Sequence, residues 1–480
     1  MTTIPDKLNE NNPFKTPLST TPTQRNSGVR WWLILSIFCA PVLLLTLGTF
    51  LFRLSYTIRE NSGRKAMAVE IQKLESEGNA IDNESIDVLY RSRTSVENQE
   101  DWLILFATLD SPEFKKFSAG VPLLDSSIDD DQPFQTAKAS DWEYAEACLT
   151  FTAKYQELIE KSRLLAASPT PSQFPIYFQS TETLLPEVQS VRQVAIVVFI
   201  DWQVALQRRN SQRATQDIIT LYSLANQSDV VPITVSRLVG IAIRRLALEA
   251  LQACIEVDLL NDEQLGQIDE KLQSYCEIGD RWHSVISEEL GLHLPVFTNP
   301  SITMKSKARI PAQGHDAVYF IDLMRRAMAL ETEDWSGFYS TSLMLESELD
   351  IAGNVLSIQT TDRILSHLLA PAFGALAAAL INDAQMHRQA RLATAIRLHA
   401  HRTNQFPLDL EELSIPAAQF HPIGTESFGY QLEEDRAVLW GFELSKEVRQ
   451  TPTLPPNSDP GTPGTLDNSR FVWIIARTPS

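Results

Sequence analysis

The stretch RTNQFPLDLEELSIPAAQFHPIGTESFGYQL, residues 402–432, marks the point where a long helical chain changes character. Pro407 has no N–H to donate and biases Phe406 toward extended backbone, so the preceding helix is expected to stop by about residue 404. Leu410 and Leu413 then fall on one face of a short helix. Past a turn at 422–424, the segments FGYQL (428–432), AVLWGF (437–442) and FVWIIA (471–476) have the apolar, aromatic and β-branched content of strands. Residues 433–436 form the first connection, and TPTLPPNSDPGTPG (451–464) is expected as an exposed loop before the last strand. The whole reads as a three-stranded antiparallel sheet set against a long helix.

Working back from this ending, the chain is helical almost throughout. Residues 53–78, DWLILFATL and EFKKF suggest helices ahead of an acidic loop at 125–133, whose spacing fits a solvated loop better than a calcium site. From 140 to 293 the helical pattern is broken by SPTPSQFP at 168–175. VRQVAIVVFIDWQVAL (191–206) reads as a central buried helix that carries Arg192 and Asp201 within an apolar run. Leu221, Leu224 and Ala225, and then Leu238, Ile241, Leu246, Leu248 and Leu251, recur at helical spacing and call for partners. A helix hairpin is expected near residue 260, its second arm capped by Asn261 or Asp262. A locally basic loop at 299–315 precedes the last long helices. Within these, LLAPAFGALAAALI (368–381) is apolar all round; its 14 residues and Pro371 favour burial in protein over a membrane span.

The N-terminal end has a different make-up. Residues 1–30 carry four prolines among Thr, Ser and Asn and form a tail without apolar periodicity. WWLILSIFCAPVLLLTLGTFLF (31–52) then runs for 22 uncharged residues, about 33 Å as a helix, which matches the hydrocarbon thickness of a bilayer. A lipid bilayer is therefore the expected partner of residues 31–52. Of the 480 residues, those after 52 hold 37 basic and 58 acidic side chains, a net charge of −21 that repels phosphate backbones and argues against nucleic acid as a partner. Cys148, Cys254 and Cys276 are an odd set without metal-ligand spacing, and no bridge is expected between Cys254 and Cys276.

Ala395, Phe406, Pro407, Leu410, Leu413, Pro422, Gly424 and Tyr430 follow the order in which type II secretion pseudopilins place a long helix, an aromatic-Pro turn, a short helix, a Pro-Gly turn and a small sheet. The last 80 residues or so thus resemble the globular part of a pseudopilin. His421 stands where that family has aspartate, Leu439 to Phe442 replace the family's Tyr-Ser-x-Gly strand end, and ELSKEV replaces its calcium loop, so no calcium site is carried over. Gly28 is followed five residues on by Leu33 instead of glutamate, which argues against processing of the prepilin kind. The chain as a whole, including RLVGIAIRRLALEALQACIE (237–256) and the Trp473 strand, looks like a family of uncharacterised bacterial membrane proteins with one N-terminal anchor, a large helical middle and this ending. That resemblance implies a large domain on the periplasmic side of the inner membrane. A count of Arg53, Arg59, Arg64 and Lys65 points the other way, although long domains translocate largely regardless of such charges.

No catalytic, cofactor-binding or metal-binding constellation is legible. His399 and His401 are two apart on a helix and diverge, His387 is paired at i, i+4 only with Arg391, and adjacent Glu288 and Glu289 diverge and read as surface residues. No nucleophile elbow, phosphate loop or dinucleotide fingerprint occurs. The expected protein is mainly α: a tail (1–30), an N-terminal transmembrane helix (31–52), a membrane-proximal helical segment (53–139), a large irregular helical bundle (140–300), long helices (301–404) and a small C-terminal α+β cap (405–480). The expected role is a non-enzymatic, cofactor-free scaffold or protein-binding module of the cell envelope, with an accessory of a secretion or pilus-like apparatus as the alternative.

Overall fold

The computed structural model describes residues 27–125, 142–179, 183–298, 313–353, 363–413, 415, 428–434, 436–441 and 472–476, with side chains left out at 27–42, 313, 350–353 and 364. Most of the expected loops at 125–133, 299–315 and 451–464, and the turn at 422–424, lie outside these residues. The protein is mainly helical with one three-stranded antiparallel sheet. It divides into two compact units, Met1–Arg59 and Glu60–Ser480.

In the first unit the described structure is the opening part of α1 (Ser27–Ser76), whose large apolar side chains from 43 onward are exposed. The second unit begins within the same helix. Next come α2 (Asn83–Ser92), opened by a capping box between Asp82 and Ser85, then α3 (Gln99–Asp110), α4 (Pro112–Phe117), α5 (Ala145–Lys154) and α6 (Gln156–Ala166). The Pro-rich break at 168–175 is non-helical, as expected, and its Ser172 bridges Ser95.

Three helices then fold back on one another as the centre of the molecule: α7 (Pro186–Gln207), α8 (Ser211–Asp229) and α9 (Thr234–Glu256). Every residue of α7 from 197 to 206 is buried, Asp201 included, which agrees with the sequence reading of this helix. The stripe on α9 is only partly covered: Leu248 and Leu251 are buried, whereas Leu238 is exposed. Asn261 caps α10 (Asp262–Gln273) through a capping box with Gln264. The expected hairpin does not form. Instead of lying back along α9, α10 packs on α8 and on α15 (Phe373–Thr403), its buried Leu265, Ile268 and Leu272 filling the core there.

The remaining helices are α11 (Gly279–Thr298), α12 (Gln313–Met328), α13 (Trp335–Gly353) and α14 (Ile364–Leu369). Pro371 separates α14 from α15. Among the described residues, one helical stretch, Leu365–Thr403, is long and apolar enough to cross a membrane, and half of its apolar window is buried in the protein. Asp383, Gln385, His387, Arg388 and Gln389 are buried along it. This is the core helix that the run at 368–381 predicts.

Apolar side chains form two clusters. One gathers α2 to α10 and the sheet; the other gathers α11 to α14 and the end of α1 through Leu74. Helix α15 serves both, with residues 373–384 in the second cluster and 386–396 in the first. It stops where Pro407 requires, with Asn404 left-handed at φ 58°. A single 3₁₀ turn, Leu410–Glu412, follows, and Leu410 and Leu413 are both buried. The sheet has the order β1 (Gly429–Leu432), β2 (Arg436–Trp440), β3 (Val472–Ala476). Gly429 lies flat under the Trp440 ring, where a Cβ would fall 1.9 Å from a ring carbon. The Tyr430 hydroxyl donates to the Pro407 carbonyl (2.7 Å), tying the sheet to the Phe-Pro turn. Cys148, Cys254 and Cys276 are free and buried, so Cys254 and Cys276 form no bridge.

Candidate functional site: a buried charged seam

Where α15 passes from one core to the other, charge replaces apolar packing. Asp383 is fully buried and accepts from Arg244 of α9 (Nε to Oδ2, 3.1 Å) and from Arg281 of α11. Arg244 also reaches Asp229 at the end of α8. Gly240, one turn before Arg244, makes this possible: a Cβ there would stand 2.1 Å from Asp229 Oδ1, so only glycine lets the Asp229 side chain cross between α8 and α9. Burial alone would raise the Asp383 pKa, but the two guanidiniums outweigh it and hold the carboxyl well below its usual range.

Aromatic rings seal this cluster. Tyr275 lies under the Arg244 guanidinium at 4.4 Å, and His387 packs against Tyr275 and Tyr222 with centroids at 5.1 and 5.7 Å. The Nδ1 of His387 is 2.6 Å from the Asp383 carbonyl, which assigns the ring proton to that nitrogen. Burial pushes the imidazole pKa down to about 4, so the ring is neutral at pH 7. Its Nε2 and the Tyr222 hydroxyl have no hydrogen-bond partner among the described residues. Of the histidines weighed from the sequence, His387 is thus a core residue, while His401 bridges Asp258 (2.8 Å) and Asp262 (2.7 Å) near the surface.

Glu288 and Glu289, read from the sequence as surface residues, are both buried. They do diverge. Glu288 accepts from Arg93, from Arg237 (3.0 Å) and from Ser284 Oγ (2.6 Å), whereas Glu289 accepts from the free Thr234 N–H at the start of α9 (2.7 Å) and pairs with His293 (2.8 Å). A carboxylate there satisfies an orphan N–H and complements the positive end of the helix dipole. A third network joins α6, α7 and α8: Arg163 donates to Asp217 (2.7 Å) and reaches Asp201, which also takes Arg213 Nε (2.6 Å). Burial, reinforced by Asp201, drives the Asp217 pKa well up. Asp201 is the one member of this third network to which the sequence reading drew attention.

These charges are spent on one another. Asp201, Asp217, Asp229, Glu288 and Asp383 meet guanidiniums at hydrogen-bonding distance, Glu289 meets a backbone N–H and His293, and among the described residues no group of three or more His, Cys, Asp or Glu could hold a metal ion. The arrangement orients helices: Asp383 ties α15 to α9 and α11, and Arg388 ties it to the Cys276 carbonyl (2.9 Å) and Glu277 (2.8 Å). Further along α15, Arg391 binds Asp269 of α10 (2.8 Å), and Arg397 binds the carbonyls of Ile255 and of Ala476 in β3 (2.6 and 2.8 Å). None of these cross-chain pairings has a local signal, because the partners lie far apart in sequence and no spacing rule links them. The chain matches no family model, no curated protein and no solved structure.

Proposed function

We propose that this protein is a single-pass, membrane-anchored helical scaffold of the bacterial inner membrane, its large domain facing the periplasm and binding other envelope proteins without catalysis. The observation that carries the reading is the first unit, where every large apolar side chain from 43 to 52 is at least 49% exposed. Leaving a Leu or Phe side chain in water forgoes about 1.5–3 kcal/mol. A bilayer around residues 31–52 removes that cost, and the run contains no charge to oppose insertion. The buried ion pairs of the second unit support a structural part for its charges, since each carboxylate is already engaged by a neighbouring helix.

The anchor predicts that the full chain stays with the membrane pellet through an alkaline carbonate wash; release into the supernatant would overturn it. Reporters active on only one side of the membrane, fused after Ser480, test the orientation. A cytoplasmic signal would mean that Arg53 to Lys65 are the better guide. Alanine substitutions across the exposed helical faces should release at least one membrane partner, and a full set that released none would count against the binding role. The alternative, an accessory of a secretion or pilus-like apparatus, is favoured by the Tyr430–Pro407 tie within the resembling segment. Copurification with such components is its test.

A further inference from the structure

Between residues 44 and 58 the apolar positions of α1 follow a second rule besides being lipid-soluble. Leu44, Leu47, Leu51, Leu54 and Ile58 are spaced 3, 4, 3 and 4, the repeat that places side chains along one seam of a helix packed on another helix. Up to Phe52 the run is apolar on every side, and the seam does not stand out. Beyond it a bilayer no longer demands apolar residues, yet Leu54 and Ile58 continue the seam between Arg53, Ser55, Tyr56, Thr57 and Arg59. Both are exposed, Leu54 at 47% and Ile58 at 62%, and nothing in the first unit covers them.

We propose that this seam pairs with the same seam of a second copy of the chain, making a parallel two-helix anchor. The choice of a second copy over another protein rests on charge. In the repeat, Arg53, Tyr56 and Arg59 fall on the side of the helix away from the seam, and the flanking positions are the uncharged Gly48, Phe50, Ser55 and Thr57. Two identical helices therefore meet without a like-charge contact, whereas the flanks offer a foreign helix no charge by which to select it. The inference rests on the anchor reading, because a shared bilayer is what makes two copies parallel and in register.

The test uses the full chain carrying Cys39→Ser, in membranes, with one cysteine introduced at a time and copper phenanthroline as the oxidant. Leu51→Cys, Leu54→Cys and Ile58→Cys should form disulfide-linked dimers several-fold more efficiently than Arg53→Cys and Tyr56→Cys. Adding Leu54→Glu with Ile58→Glu should abolish the Leu51→Cys dimer while the chain remains in the carbonate-washed pellet. Low or even crosslinking at all five positions, with the chain still in the pellet, would overturn the pairing and leave the anchor standing. A crosslinked product whose mass is not twice that of the chain would assign the seam to another protein and overturn the choice of partner. Release of the chain by carbonate would overturn both readings.

Discussion

Asp383 holds two arginines from a fully buried position. Replacing it with Asn leaves Arg244 and Arg281 beside a neutral group and should cost about 3–5 kcal/mol of stability, read as a lower midpoint in urea. Replacing the whole cluster at once, as Asp383→Leu, Arg244→Met, Arg281→Met and Asp229→Asn, should recover most of that loss, because the other carboxylate that Arg244 pairs with is removed along with it and no charge is then left buried and unpaired. Gly240→Ala is the companion test. Alanine favours a helix interior by about 1 kcal/mol over glycine, but here its Cβ drives Asp229 away from Arg244, and the net should be a loss of about 2 kcal/mol. None of this was legible in advance. Glu288 and Glu289 show why: adjacent acids on a helix look solvated until Arg93, nearly 200 positions away in the chain, is folded onto one of them.

At the level of elements, the short α14 hangs on one carboxylate. Asp316 of α12, fully buried, accepts from the Leu365 N–H (2.8 Å) and the Ser366 N–H (3.2 Å). Burial raises its pKa to about 6 despite these donors. Its folded pKa lies above the unfolded value, so ionised Asp316 costs stability at pH 7, and acidification from about 6 toward 3.8 restores about 3 kcal/mol. His387 acts in the opposite sense. Its folded pKa of about 4 lies below the unfolded 6.5, so stability is lost as pH falls through that interval, again by about 3 kcal/mol. The two slopes should largely cancel between pH 6 and 4. Asp316→Asn should unmask a loss of stability on acidification and His387→Gln a gain, both measurable as urea midpoints across that range. Of the elements, the end of α15 and the sheet were legible because Pro407 and strand composition act locally. The lie of α10 was not, since its apolar face fits α8 and α15 as well as it would fit α9.

For the molecule as a whole, one helix belongs to both apolar clusters. Because α15 cannot leave one core without exposing residues of the other, the second unit should melt in a single calorimetric transition. Asp383→Asn, placed at the joint, is predicted to split or broaden that transition, with near-ultraviolet dichroism following each half. The helical class and the small sheet could be read from periodicity and proline placement. The division of helices between two cores could not, because an apolar stripe states that a helix needs a partner and not which one.

The three buried cysteines carry a last consequence. Burial pushes the Cys148 and Cys254 thiols up to about 12 and Cys276 to about 11, so they are unreactive while the fold is closed. In the chain carrying Cys39→Ser, a maleimide reagent therefore works as a clock: each label records an opening event, and its rate as urea is added reports how often the surroundings of that thiol open. Cys148 and Cys254 lie in the first apolar cluster and Cys276 donates to the Leu272 carbonyl of α10 (3.5 Å), so mass spectrometry of the labelled peptides would time openings around α5, α9 and the end of α10 separately.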